Sequence, residues 1–461
     1  MQLINILKNL PEVTHPKEKK LSFNVKLKWT LIVLAGFFIL ANVSLYGLAK
    51  NSLDRFEYLA IILGTDFGSI ISLGIGPIVM ASIILQLLVG SKILDIDLKS
   101  EEGKKYFQGL QKLTVYFFIL FEALVYVLMQ GLEAMPGYTG IVIFQLILGG
   151  LAIVLMDEVI SKWGFGSGVS LFIVAGVSWR LFTEMFQFIG VQGANCLADF
   201  SNTPCAGKVF IIIQSIINQT PIDALKAFSV ILVTALIFLF VVWAQSLKVE
   251  IPLSFDRLRG YSMRWPLSLF YASVIPVILT AALAANLQLL GGLLESSLGK
   301  ATIVGGFSQR QAISGFAFWI SNVNILEAII TGSFRNIYIL QALTHILFYV
   351  ALSVVFAIFW VKTSGMDAES QAKNILSSGL QIPGFRKDER VLEAVLSRYI
   401  FPLTVMGGAA IGLLASIADL LGAMTGGTSI LLAVMIIYQF YNNIAQQHAV
   451  DMHPAMKKMM G

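Results

Sequence analysis

Runs of roughly twenty apolar residues recur along this chain, each long enough to cross a bilayer as a helix. No other feature constrains the fold as strongly. Ten such runs can be placed, at residues 29–48, 71–89, 113–129, 140–156, 168–181, 227–247, 266–290, 338–361, 403–421 and 429–441. Charged residues are only 13% of the 461, about half the share of a soluble domain. The expectation is an all-α membrane protein with ten transmembrane helices. Residues 1–28 carry charge throughout and show no small-residue cleavage site before the first run. They predict a retained tail rather than a cleaved signal. Leu3, Ile4, Ile6, Leu7 and Leu10 share a helical face there, as in an interfacial helix, although a solvated tail accounts for them equally well.

Loop charges orient the bundle. With the N-terminus inside, 24 of the 32 Lys and Arg residues lie on cytoplasmic segments and 8 on outer ones. That bias predicts a multi-pass protein of the cell membrane with both termini cytoplasmic. The expected organisation is a cytoplasmic tail (1–28), an N-terminal half (29–186), an external loop (187–226), a C-terminal half (227–446) and a cytoplasmic tail (447–461). Two cytoplasmic loops, 248–265 and 362–398, are long and basic. Positive-inside bias explains part of their charge, and docking to an anionic partner such as RNA or an acidic protein is the other reading. Cys196 and Cys205 lie on the external loop, where a disulfide and two free thiols both remain open.

The second run is unusual. Ser72-Leu73-Gly74-Ile75-Gly76-Pro77-Ile78-Val79-Met80 carries glycines and a proline where a lipid anchor carries leucine. Val274-Ile275-Pro276-Val277-Ile278 echoes it, with an aliphatic residue two positions past the proline in each. A proline removes a backbone donor and is expected to kink these helices. Such a defect is tolerated at membrane depth where protein or a cavity re-satisfies the backbone. Between the first two runs, the apolar segment from Arg55 to Gly64 is too short to span and suits a re-entrant or interfacial helix.

Enzymatic chemistry has little foothold. The sequence holds no HExxH, no CxxC and no phosphate-binding loop ending in Gly-Lys-Ser/Thr. The expectation is neither an enzyme nor a metal or cofactor protein. Intramembrane ionisable groups are functional candidates by default. Glu122 lies mid-span, with Asn286 a possible partner, and reads either as a proton relay or as a helix–helix contact. Asp419 lies near the end of the ninth run, and His345 is the one histidine inside a span. Asp157 and Glu158 end the fourth run, where surface solvation explains them. A secondary transporter would line its midplane site with polar groups. The matched segments offer Ile75, Val79 and Ile278 instead, which suit a hydrophobic constriction. A gated pore is favoured, and a secondary active transporter of a small solute is the alternative.

These residues resemble a known family. Gly74-Ile75-Gly76-Pro77-Ile78-Val79 with Gln86-Leu87-Leu88-Val89-Gly90 is similar to the second helix of SecY, the protein-translocation channel family. Gln108-Gly109-Leu110-Gln111-Lys112, Asp157-Glu158, Gly164-Phe165-Gly166-Ser167-Gly168, Val249-Glu250-Ile251-Pro252-Leu253, Gly384-Phe385-Arg386-Lys387 and Pro402-Leu403-Thr404-Val405-Met406 match in order and spacing. The resemblance looks closest to the archaeal and eukaryotic branch. It implies two pseudo-symmetric five-helix halves around an hourglass pore that passes unfolded polypeptides. It implies a pore ring of Ile75, Val79, Val169, Ile173, Ile278 and Leu432. It implies a short plug including Phe56, Tyr58, Leu59, Ile61, Ile62 and Leu63. The implied lateral gate, opening to membrane lipid, includes Pro77, Met80, Glu122, Pro276 and Asn286, with Met80 where a small hydroxyl residue is common. Arg257, Arg259, Arg386 and Lys387 match ribosome-docking loops. The implied partners are SecE-like (gamma) and beta-type small membrane subunits, a translating ribosome, signal sequences and nascent polypeptides.

Overall fold

The computed structural model describes residues 11–17, 21–49, 68–90, 93–94, 96, 100–128, 132–188, 196–197, 203–255, 262–272, 274–308, 311–377, 380–381 and 388–452. The N-terminal half is built from α1 (Phe23–Ala41), α2 (Gly76–Gly90), α3 (Glu101–Leu128), α4 (Thr139–Trp163) and α5 (Gly168–Phe186). Next come α6 (Lys208–Ile217), α7 (Pro221–Gln245), strands β1 (Lys248–Phe255) and β2 (Ser262–Ser268), and α8 (Ile275–Leu298). The chain continues through β3 (Gly306–Ser308), β4 (Gln311–Ser314), α9 (Gly315–Ile320) and α10 (Ile325–Ile330). It ends with α11 (Ile337–Thr363), α12 (Ala368–Ser377), β5 (Leu380–Gln381), α13 (Glu389–Leu420) and α14 (Gly427–Met452).

Among the described residues, 9 helices are long and apolar enough to cross a membrane. The shorter apolar α2 completes ten, so five spans fall in each half: α1 to α5, then α7, α8, α11, α13 and α14. This is a multi-pass membrane fold.

The prolines behave differently from the expectation. Pro77 and Pro276 each stand second in their helix, so both helices start there rather than bend. In the first turn the missing N–H has no intrahelical partner to lose, and the fixed φ suits the helix. Residues 68–75, expected to be helical in part, form a buried turn. Gly74 takes φ 54° within it, a conformation open to glycine. Ser72, fully buried, donates to Ser69 O (2.6 Å) and accepts from Gly68 N–H (2.8 Å). α4 presses on this turn so closely that a Cβ on Gly149 would lie 1.8 Å from Ile70 O.

Other boundaries shift as well. Residues 248–268, expected as a loop followed by the seventh span, form an antiparallel hairpin in which Lys248 faces Ser268 and Ser254 faces Ser262. Ile251 and Leu267 turn inward at 2% exposure onto α11, α12 and α13. Pro252 sits where β1 has a single neighbour, because β5 pairs only with Ser254 and Phe255. The external segment 187–226 contains α6 and the start of α7. The Cys196–Cys205 question closes on a disulfide. α3 extends twelve residues before its expected apolar start, through Glu101–Lys112.

The hairpin and α12 lie at one end of the bundle, and residues 11–17 join them there. Val13 N–H donates to Glu158 Oε2 (2.9 Å), Trp163 Nε1 to Thr14 O (2.9 Å) and Lys162 Nζ to Val13 O (2.6 Å). The disulfide, α6 and α10 lie at the opposite end, around a cavity of about 470 Å³.

Candidate functional site

The two proline-led helices place aliphatic side chains at equivalent points. Val79 is the fourth residue of α2 and Ile278 the fourth of α8. The first-turn bonds match too. Val79 N–H donates to Ile75 O (3.0 Å), and Ile278 N–H to Val274 O (3.2 Å). α5 adds Val169 and Ile173, one helical turn apart, so both share a face. The α5 start is fixed by Asp157, whose Oδ1 accepts from Val169 N–H (2.9 Å). A Cβ on Gly168 would lie 2.6 Å from Asp157 Cα, so glycine is required for this approach. Asp157 therefore fixes the start of α5 instead of merely meeting solvent.

α14 supplies Leu432. Its start is held by Asp419, which accepts from Thr428 N–H (2.8 Å) and from the Thr428 hydroxyl. Gly427 lies against Ala418, where a Cβ would meet the backbone carbon at 1.9 Å.

Ile75, Val79, Ile173, Ile278 and Leu432 are buried at 2–8% exposure in one apolar cluster, with half-buried Val169 packed against it. A cavity of about 650 Å³ at the hairpin end reaches Val79, Val169 and Ile278. Its walls are mixed, with Ser82 and Gln86 from α2 and Gln108 and Gln111 from α3 beside Ile78, Phe107 and Trp360. This partly polar cavity thus ends against the aliphatic side chains of Val79, Val169 and Ile278, which solvate neither ions nor water.

α2 packs on α8 on one side and on α3 on the other. Met80 bridges the central cluster and a second cluster that includes Ala123, Tyr126, Ala285 and Leu289. Pro77 and Pro276 are both buried. Glu122 is 6% exposed, and its Oε2 has no hydrogen-bond partner among the described residues. Asn286 donates its amide to Ala282 O of its own helix (2.8 Å). The two polar candidates do not hydrogen-bond each other here. The plug segment (Phe56, Tyr58, Leu59, Ile61, Ile62, Leu63) and the basic positions Arg257, Arg259, Arg386 and Lys387 lie outside the described residues. No group of three or more His, Cys, Asp or Glu side chains gathers to hold a metal among the described residues.

One cluster escaped sequence reasoning. His345 on α11 approaches Asp419 on α13, Nε2 to Oδ2 3.7 Å, both at 2% side-chain exposure. His345 Nδ1 lies 2.8 Å from Ile320 O. Each residue stood out alone as an ionisable group in a span, but no local spacing signals their pairing.

The SecY family profile matches residues 69–441, which include every described candidate residue of the waist and gate. The chain belongs to the SecY family. It is 42% identical over 457 residues to the protein translocase subunit SecY of Methanothermobacter thermautotrophicus, covering 98% of this chain and 97% of that one. It is 38% identical to the SecY subunit of Methanocaldococcus jannaschii, covering 100% and 99%. A solved protein-conducting channel superposes with TM-score 0.83 at 36% identity over 99% of both chains. Sec61 in the canine ribosome–channel complex from the endoplasmic reticulum superposes with TM-score 0.80 at 36% identity, again over 99% of both. This SecY architecture accounts for the paired proline-led helices as corresponding elements of the two halves.

Proposed function

We propose that this chain is the central subunit of a Sec protein-translocation channel. It passes unfolded secretory polypeptides through the aliphatic waist and releases apolar segments to lipid between α2 and α8. The observation that supports this reading is the single apolar cluster holding Ile75, Val79, Val169, Ile173, Ile278 and Leu432, of which Val79, Val169 and Ile278 line the cavity at the hairpin end. A pore for chains of any sequence should grip none of them, and an aliphatic ring offers no polar hold. A segment at the lateral opening partitions by its apolar area, roughly 0.8 kcal/mol per buried CH₂.

On this reading the hairpin end and both termini are cytoplasmic, as the positive-inside bias requires. The segment 55–64 plugs the outer funnel. The halves 29–186 and 227–446 are the two sides of the channel. The loops 248–265 and 362–398 dock a translating ribosome through Arg257, Arg259, Arg386 and Lys387, in keeping with the ribosome-bound state of the Sec61 relative. Small SecE-like and beta-type subunits complete the complex. The chain acts as a conduit rather than an enzyme, and the partner supplies the driving energy.

Site-specific photocrosslinking tests the waist. A probe at Ile278, presented with a ribosome-stalled secretory chain, is expected to crosslink to the middle of that chain. Crosslinks confined to lipid-facing control sites would overturn the reading in favour of the transporter alternative.

A further inference from the structure

The last carbonyls of a helix lack intrahelical donors, and beside a membrane span the protein itself must supply them. α9 ends against α11, where three successive carbonyls are met in turn. Gln341 Nε2 donates to Phe318 O (2.8 Å) and Thr344 Oγ1 to Trp319 O (2.9 Å), and His345 Nδ1 lies 2.8 Å from Ile320 O. Gln341, Thr344 and His345 stand at i, i+3 and i+4, so they share one face of α11. A carbonyl only accepts, so His345 Nδ1 carries its hydrogen.

The other ring nitrogen faces an anion. His345 Nε2 has no hydrogen-bond partner among the described residues, and Asp419 Oδ2 is 3.7 Å away. Asp419 receives both the Thr428 N–H (2.8 Å) and the Thr428 hydroxyl, as an ionised, acceptor-only carboxylate does. A bare nitrogen lone pair repels that carboxylate, whereas a protonated nitrogen attracts it. Between Ile320 O and Asp419, the ring is drawn to both neighbours only as the imidazolium. The separation is too long for a hydrogen bond. At 2% side-chain exposure on both sides, though, a charge pair at this range is little screened.

Asp419 is also the residue that holds the start of α14. Leu432 stands one turn past Thr428 on the same face and is 5% exposed in the waist cluster. A continuous link thus runs from α9 and α11 through His345 and Asp419 to Leu432.

Few other titratable groups surround the ring. Tyr349 stacks beside it on α11, ring centroids 4.6 Å apart. Glu184 of α5 accepts from Thr425 N–H on the α13–α14 turn (2.9 Å), and Glu327 of α10 accepts from Asn324 Nδ2 (3.0 Å). Glu295 of α8 is engaged by Phe307 N–H (2.7 Å), and α2 and α9 carry no titratable side chain.

We infer that His345 is a positioning residue for the waist, holding the start of α14, and with it Leu432, through Asp419 for as long as Nε2 carries a proton. This rests on the channel reading. His345 touches no translocating chain, and its effect on the seal passes entirely through Asp419.

The test measures resting ion conductance of the full chain with its partner subunits in planar bilayers. His345→Asn keeps a donor at the Nδ1 position and loses the reach to Asp419. It is expected to raise conductance about fivefold, the lower end of typical couplings between distant groups. His345→Gln keeps a donor at the Nε2 position, does not titrate, and is expected to stay near the unmodified level. A purely structural role at Ile320 would give the opposite order. A tether that needs a proton is present at low pH and lost as pH rises. Conductance of the unmodified chain is therefore expected to climb from pH 5 to pH 8, the range over which histidine changes charge, while His345→Gln stays flat. Nitrogen NMR of histidine-labelled protein, assigned by the signal missing in His345→Gln, should show Nε2 losing its proton over the same range. Equal leak in Asn and Gln variants, a pH response that survives in His345→Gln, or an Nε2 without a proton throughout would overturn the proposal. A Leu432→Gly variant that leaks no more than the unmodified chain would instead overturn the waist reading, a separable result.

Discussion

α2 and α8 start alike and continue differently. Each begins one residue before a proline and carries an aliphatic residue two positions after it. Past that point α2 turns polar toward the cavity, with Ser82 and Gln86. α8 instead presents Ala281, Ala282, Ala284 and Ala285, all at 3% exposure or less. Small residues let backbones approach and leave a smooth surface. The anchoring differs as well. Thr280 of α8 is fully buried, donates to Pro276 O (2.8 Å) and lies 3.3 Å from Ser353 Oγ on α11. On α2 the inter-helix link comes one position later, from Ser82 to Gln111, and both residues line the cavity. The shared start places aliphatic residues alike, while the divergent continuations put polar side chains on α2 and buried alanines on α8.

Replacing the two equivalent aliphatic residues tests the shared start and carries the largest expected effect. Ile278→Gly and Val79→Gly each empty part of the cluster, and large-to-small changes of this kind cost about 2–5 kcal/mol. In planar bilayers both variants are expected to raise resting ion conductance, Ile278→Gly more, because its side chain is larger. Unchanged conductance in both would remove the seal from these positions. A leak in only one would show that the two helices are not equivalent at the floor.

The anchors give a smaller effect. Thr280→Val leaves Ser353 without its fully buried neighbour and is expected to cost about 1 kcal/mol. Ser82→Ala is expected to cost less, since water in the cavity can satisfy the Gln111 amide. Thermal unfolding of the two variants in one detergent checks the order. A larger Tm loss for Ser82→Ala would mean that α2, not α8, is the more firmly tied wall.

Much of this comparison was legible in the sequence, and the failures have identifiable causes. Spans announce themselves because hydrocarbon demands long apolar runs, and the echo of Pro77 in Pro276 is visible by eye. The kink inference failed because the same residue serves at a helix start, and an apolar run extending upstream of it hides where the helix begins. The hairpin reads as a loop in the sequence because the charges at Lys248 and Glu250 and the proline at 252 mask the alternation of Val249, Ile251 and Leu253. Asp157 looked like a surface carboxylate because its partner, Val169 N–H, is a backbone group across a glycine turn. The His345–Asp419 approach joins distant helices, which no local pattern encodes.

The smallest effect concerns how the two halves are closed at the hairpin end. The C-terminal half uses an apolar contact, with Ile251 and Leu267 packed on Leu392 and Leu396. The N-terminal half uses the polar segment 11–17, in which Glu12 pairs with Lys162. The Lys162 hydrogen bond holds the Glu12 carboxyl below its usual value of 4.5. A depressed carboxylate contributes stability above its unfolded pKa and loses it as pH falls through the lower folded value. The segment should therefore loosen on acidification below 4.5, while the hairpin stays put. Glu12 is largely exposed, so screening keeps the effect modest. Amide exchange, corrected for intrinsic rates, should show protection of the Val13 N–H falling as the pH drops below 4.5, with Ile251 constant across the same range. Equal loss at both amides would mean that acid opens the whole end of the bundle. Constant protection at Val13 would mean that the Val13 N–H bond to Glu158 and the Trp163 Nε1 bond to Thr14 O hold the segment without Glu12.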